Sequence, residues 1–249
     1  MHVLGDLVAR DRRSGRPAVR VVATDRSISY RDFCTTAYKA GNVLRYLGVR
    51  EDSVVTVVGK AGSHPIWAFY GAAQLGAVTR FVGPEEAVDG SRLVAGDPRV
   101  LLAPVDREPS LEPGPSTKLA VYGGAPSRAT TLHWEQELWS ENPAVHPTEV
   151  APSVPLLATP DGRYSHGEIL DAARATVERF ALDVDDSVAV RGPLSEPGVV
   201  AAGLVAPILV GGTVVVPDDG ESGDVAVVGS GDAAPEARLI RPADVPLRT

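Results

Sequence analysis

The residues of this chain whose types and spacing invite chemistry lie in LLATPDGRYSHGEIL, Leu156 to Leu170: Thr159, Asp161, Gly162, Ser165 and His166. The stretch reads as an apolar strand that turns through Thr-Pro-Asp-Gly and enters a helix. In an α/β protein such a turn is where freed backbone N–H groups and a helix N-terminus hold a phosphate. Here Thr159 supplies one hydroxyl and Gly162 one flexible residue, while Pro160 has no N–H to give and Asp161 repels a polyphosphate. An acid–base set of Asp161, Ser165 and His166 is the rival reading. Against it, Ser165 with Glu168 three positions on has the spacing of a capping box, which puts His166 in the first helical turn as a structural residue.

Other reactive types are scattered. Cys34 sits in a helical pattern with Arg31 as its cationic neighbour, so an inert, partly buried thiol is expected rather than a nucleophile. His2, His64, His133, His146 and His166 make no His-x-x-x-His pair, and with a single cysteine no metal site is expected. The run VAVVGSGDAA, Val225 to Ala234, places Gly229-x-Gly231-x-x-Ala234 after a strand like a dinucleotide fingerprint. Pro235 follows at once and too little chain remains for the helix and second strand, so a plain turn is expected.

The elements that must position these residues follow from periodicity. Phe33, Ala37, Ala40, Val43, Leu44 and Leu47 recur at helical spacing, and Gly48 follows as a stop. VVTVVG, HPIWAFYGAAQLG and AVTRFVG then read as strand, helix and strand, and the order β-α-β argues for a parallel sheet with helices packed on it. Trp67, Phe69 and Tyr70 are expected to pack that helix on the sheet, with an acyl-pocket lining as the alternative. Strands are expected at RVLLA and KLAVYG and a short helix at WEQELWS, whose Trp134 and Trp139 read as surface-covering aromatics or a partner-facing patch. A second unit repeats the logic: helix HGEILDAARATVERFAL, strand SVAVRG, helix EPGVVAAGLVAPILVG, strand TVVVP. Aligning Tyr30 with Tyr164 lays Asp52-Ser53-Val54 on Asp186-Ser187-Val188, either as structural cousins or as two β-α-β units that align by chance. The expected class is therefore α/β, two similar β-α-β sandwich subdomains with mostly parallel sheets, 1–150 and a truncated 151–249.

Composition narrows the function classes. A chain of 249 residues, 44% hydrophobic, buries a substantial core. Its net charge of -8 argues against nucleic acid as a partner. VVAAGLVAPILVGG is too short for a bilayer and contains Pro207, so no membrane partner is expected. The N-terminus MHVLGDLVARDRR has no long apolar run and acquires charge too early for a secretory signal, which with the single cysteine fits a cytoplasmic protein.

ISYRDFCTTAYKAGNVLRYLGVREDSVVTVVG, AFYGAAQLGAVTRFVGP, YSHGEIL and LVAPILVGGTVVVP, taken in order, resemble the N-terminal part of the adenylate-forming superfamily of AMP-dependent acyl-CoA synthetases and ligases, over most of residues 1–217. That resemblance implies a loop of the type T-S-G-T-T-G-x-P-K-G before SHGEIL, wrapping the ATP phosphates; here the chain passes from Thr159 to Ser165 without it. It also implies a loop lysine and an adenylation lysine, yet the lysines are Lys39, Lys60 and Lys118 alone. The family's aromatic-Gly-x-Thr-Glu segment, ribose-binding Asp and C-terminal domain have no match. Thr159, Asp161, Gly162, Ser165 and His166 are then a weak remnant of the phosphate-loop region. The expectation is a catalytically inactive acyl-CoA synthetase-like protein that acts as a binding or partner module, with no cofactor required and with a protein partner or a second copy of itself. The alternatives are a ligase completed by a partner chain, and a sensor of an acyl or CoA ligand; ATP, AMP and CoA are the ligands the resemblance leaves open.

Overall fold

In a computed structural model the chain is described at residues 1–84, 93, 96–144, 148–220 and 222–247. Two mostly parallel sheets sandwich a layer of helices. The first sheet holds β3 (Val54–Val58), β4 (Val78–Val82), β5 (Val100–Pro104), β6 (Lys118–Tyr122), β7 (Leu132–His133), β8 (Pro155–Thr159) and β9 (Gly162–Ser165), in the order β7-β6-β5-β3-β4-β8-β9. The second holds β1 (Pro17–Val21), β2 (Arg26–Ser29), β10 (Ser187–Val190), β11 (Thr213–Val216), β12 (Val225–Val227) and β13 (Leu239–Ile240), in the order β13-β12-β10-β11-β1-β2. Between them lie α1 (Tyr30–Tyr46), α2 (Ser63–Ala73), α4 (His166–Phe180) and a helical run of α5 (Pro197–Val199), π-helix (Val200–Val205) and α6 (Ala206–Val210), with the short α3 (Trp134–Ser140) against α1 and β6.

The continuous Val-rich strands are explained by cover on both faces. Val55, Val57, Val100 and Leu102 join the core shared with the second sheet, while Val58, Leu101, Ala103 and Val121 close a separate cluster on the outer face. Helix α2 is apolar all round because Pro65 to Ala73 are all buried, and Trp67, Phe69 and Tyr70 pack inward as periodicity indicates. Its Gly71 is required: a Cβ there would stand 2.7 Å from the Gly41 nitrogen and 2.8 Å from the Ala40 Cβ, so α1 and α2 touch backbone to backbone.

Each sheet is closed by the other half's hairpin. The antiparallel pair β1–β2 leads into α1 yet lies in the second sheet beside β11, and β8–β9 leads into α4 yet lies in the first sheet beside β4. Residues 1–150 and 151–249 therefore exchange strands, and the sheets do not follow that division. The duplication is visible in detail. Both hairpins carry an irregularity after their first proline, Pro17 and Pro155, and both end on a serine N-cap, Ser29 accepting from the Asp32 N–H and Ser165 from the Glu168 N–H. The caps align Ser29 with Ser165, so Tyr30 corresponds to His166 and not, as a constant offset suggested, to Tyr164.

Three further expectations are corrected. The helix after β10 is not regular: Pro207 has no N–H for the fourth carbonyl back, and the chain widens into a π-helix whose Leu204 carbonyl accepts from the Tyr70 hydroxyl at 2.8 Å. The chain after Pro235, expected to be too short for a second strand, still adds one, Leu239–Ile240, parallel to β12. Trp134 is not a surface aromatic: α3 turns it and Leu138, four residues apart, into the core, leaving Trp139 79% exposed.

Candidate functional site

The turn at Thr159 is the tip of a hairpin. The expected strand–turn–helix is overturned by β9, which pairs antiparallel with β8 and places Thr159 opposite Gly162, with Pro160 and Asp161 as the whole connection. The Thr159 hydroxyl is turned back into this tip, donating to the Gly162 carbonyl at 3.4 Å and accepting from the Asp161 N–H at 3.3 Å. The equivalent β1–β2 connection in the other half is Val22 to Asp25, a longer one.

The five residues singled out in sequence are not brought together. At about 3.3 Å per residue, β9 carries the start of α4 about 10 Å from the tip. Ser165 is consumed by the helix: its Oγ accepts from the Glu168 N–H at 3.3 Å, its own N–H donates to Glu168 Oε2 at 2.8 Å, and its O–H donates to the same oxygen at 2.8 Å. His166 is fully buried, and its Nδ1 accepts from the Leu4 N–H at 3.1 Å, tying the N-terminal segment to α4. Burial lowers its pKa to about 4, so the ring is neutral at physiological pH. Asp161 therefore has no acid–base partner in His166 or Ser165. The arrangement caps a helix and closes a hairpin.

Other chemistry-bearing residues resolve as scaffold. Cys34 is fully buried rather than partly so, and burial raises its thiol to about 11 despite Arg13 and Arg12 nearby, cations that the sequence neighbourhood did not show. Glu108 is buried under donors from Ser127 N–H at 2.6 Å, Ser127 Oγ at 2.9 Å and Arg128 N–H at 3.1 Å. Burial pushes its carboxyl up, but these bonds with that from Thr131 outweigh it and hold the pKa at about 2. Arg191 grips the buried Glu236 through Nε at 2.8 Å and Nη2 at 2.7 Å, beside the Gly229–Gly231 turn that reads like a fingerprint but leads to β13 and not to a helix. Among the described residues no group of three or more His, Cys, Asp or Glu is placed to hold a metal ion, and no helix is long and apolar enough to cross a membrane; His146 lies outside the described residues.

A cavity of about 410 Å³ opens between α1, α2 and α3, lined among others by Arg26, Lys39, His64, Trp67, Glu135 and Trp139. The His64 ring stacks on Tyr122 with centroids 5.2 Å apart and meets Trp67 edge-on at 5.3 Å, while the Arg26 guanidinium lies 5.8 Å from the Trp67 ring centre. Glu135 Oε1 accepts from the Gly123 N–H at 2.5 Å and stands 3.6 Å from His64 Nε2. Burial lowers the His64 pKa, Glu135 opposing and Arg26 reinforcing that direction. Sequence reasoning missed this cluster because its members come from β2, α1, α2 and α3 and share no local spacing.

With this geometry described, the chain can be set beside known proteins. The sequence profile of the AMP-binding enzyme family matches residues 8–152. The fold is similar to that of the anthranilate CoA ligase AuaEII in complex with anthranoyl-AMP, with 16% identity and a TM-score of 0.78 over 91% of this chain and 49% of that one. It is similar to the N-terminal domain of FACL13 from Mycobacterium tuberculosis, with 16% identity and a TM-score of 0.76 over 93% of this chain and 70% of that one. It is similar also to the nonribosomal peptide synthetase FmoA3, with 20% identity and a TM-score of 0.72 over 86% of this chain and 22% of that one. The chain thus spans about a fifth of the synthetase and about half of the CoA ligase. At these identities the likeness is one of fold. Comparison with curated protein sequences gives no match.

Proposed function

The chain belongs to the AMP-binding enzyme family through residues 8–152, and on that premise we propose that it is a catalytically inactive, cytoplasmic relative of the adenylate-forming ligases that serves as a binding or partner module. The observation that carries this reading is the hairpin tip. A triphosphate needs several converging N–H groups and hydroxyls, usually with a lysine. At this tip Pro160 has no N–H, the Asp161 N–H and the Thr159 hydroxyl bond to one another, and the Asp161 carboxylate repels phosphate. Two of the fold relatives are complexes, AuaEII with anthranoyl-AMP and FmoA3 with AMPPNP; the bonding within this hairpin tip is what supports reading the chain as a scaffold without that chemistry.

Acid-dependent ATP–pyrophosphate exchange tests the reading. Purified chain with Mg-ATP and a panel of aliphatic, aromatic and amino acids is expected to give no exchange above the protein-free rate. Exchange that depends on one of the acids would overturn it.

A further inference from the structure

We propose that the groove beside β7 docks an acidic, extended segment of a partner protein, which adds to the outer edge of the first sheet. The inference gives a surface and a partner chemistry to the partner-module part of the reading above and rests on that part alone. It uses none of the residues Thr159 to His166. ATP–pyrophosphate exchange would therefore overturn catalytic inactivity and leave the groove as it is, while failure of the groove would leave the hairpin tip as it is.

The shape suits a linear ligand. The groove has a volume of about 800 Å³, and the unbroken run Ala125 to His133 lines it together with the end of α1 and the start of β6. Strand β7 is the outermost of the first sheet: β6 pairs with it on one side, and among the described residues no strand pairs with it on the other. An outermost strand leaves alternate N–H and C=O groups directed away from the sheet, and an extended peptide satisfies them. Tyr46, the last residue of α1, lines the groove and is 78% exposed, and Leu132 of β7 lines it half-buried. The two give an apolar side chain of the incoming segment something to pack on.

Charge sets the class of partner. Arg99, Lys118 and Arg128 line the groove with a single carboxylate, that of Glu137. Among the described residues none of the three cations is in an ion pair. Arg99 donates to the carbonyls of Leu47 at 3.1 Å and Ser116 at 3.3 Å, Arg128 to those of Leu111 at 2.8 Å and Pro109 at 3.1 Å, and Lys118 is exposed. Neutral carbonyls orient a guanidinium without cancelling its charge. In a protein of net charge -8 the groove is a local reversal of sign, which steers an acidic segment to this face. A membrane or a nucleic acid calls for a wider cationic surface than these side chains supply.

The wall is also fixed in advance. Buried Glu108 accepts from the Ser127 N–H at 2.6 Å and the Arg128 N–H at 3.1 Å, so a carboxylate beneath the loop pins two residues of the lining. A loop already ordered need not be organised by the peptide that meets it, which favours binding.

The experiment is a fluorescence-anisotropy titration of the full chain with a fluorescein-labelled hexapeptide of alternating glutamate and valine. Saturable binding is expected, weakened at least about fivefold between about 0.05 M and about 0.5 M NaCl. The glutamine–valine and lysine–valine hexapeptides, and the glutamate peptide with its backbone fully N-methylated, are each expected to bind at least about tenfold more weakly. Lys118→Glu and Tyr46→Ala, both at exposed positions, are each expected to weaken the glutamate peptide at least about fivefold with far-UV circular dichroism unchanged. Arg163→Gln, on β9 at the opposite edge of the same sheet, is expected to leave binding as it is. Absence of saturable binding, equal affinity for the glutamine or the N-methylated peptide, unchanged affinity in the Lys118 and Tyr46 variants, an equal loss in the Arg163 variant, or tighter binding to phosphatidylserine vesicles or single-stranded DNA than to the peptide would each overturn the proposal.

Discussion

At the scale of residues, two buried titratable groups hold the fold together, and each sets a pH window. His166 has its folded pKa lowered to about 4. Above pH 6.5 the ring is neutral in both folded and unfolded chains. As pH falls from 6.5 to 4 the unfolded chain takes a proton that the native state refuses, and about 3 kcal/mol of stability is lost. Urea unfolding of wild type and His166→Gln at pH 7.5 and 4.5 checks this: the wild type's advantage is expected to narrow by roughly 2–3 kcal/mol at the lower pH. Glu108 has its folded pKa lowered to about 2, so its contribution is complete above pH 4.5 and disappears as pH falls through 2. Glu108→Gln is expected to destabilise the protein near neutrality, with wild-type and variant melting temperatures converging toward pH 2. The two residues were unequally legible. Ser165-x-x-Glu168 is a local signal and gave the cap and the structural role of His166, whereas the donors of Glu108 lie 19 and 20 residues away and no local pattern joins them.

At the scale of elements, periodicity located α1, α2, α4 and the central strands because each has a face, or both faces, under cover. It failed where the partner of a segment decides its conformation. GRYS has too few apolar residues to announce a strand and becomes one only because β8 lies beside it. Leu239–Ile240 likewise depends on β12. The π-helix follows from Pro207 and from Gly203, where a Cβ would come within 3.1 Å of a Val190 methyl, so helix and β10 approach more closely than a larger side chain permits. The same closeness at α1 and α2 gives a direct test. Gly71→Ala must push against the Gly41 and Ala40 backbone and is expected to cost about 2 kcal/mol in chemical unfolding, even though alanine is the better helix former. An unchanged or raised midpoint would show that the two helices are not in backbone contact.

At the scale of the whole molecule, the exchange of hairpins makes one cooperative body of two similar halves. The sequence resemblance between halves was readable as order, β-α-β twice over; the exchange was not, because β1 and β11 are nearly 200 residues apart and nothing local says which sheet a hairpin joins. All three tryptophans lie in residues 67–139, so fluorescence reports that part while far-UV circular dichroism reports both halves. Their urea midpoints are expected to coincide, and two separated transitions would show halves that unfold independently. The exchange also bears on the proposed function, since the stretch before SHGEIL is here a strand pair that closes the other half's sheet. The most direct measurement of the central claim is a calorimetric titration of the full chain with Mg-ATP at millimolar concentrations. No saturable heat is expected, in wild type or in Asp161→Asn; saturable binding of Mg-ATP that weakens in Thr159→Ala would contradict the account.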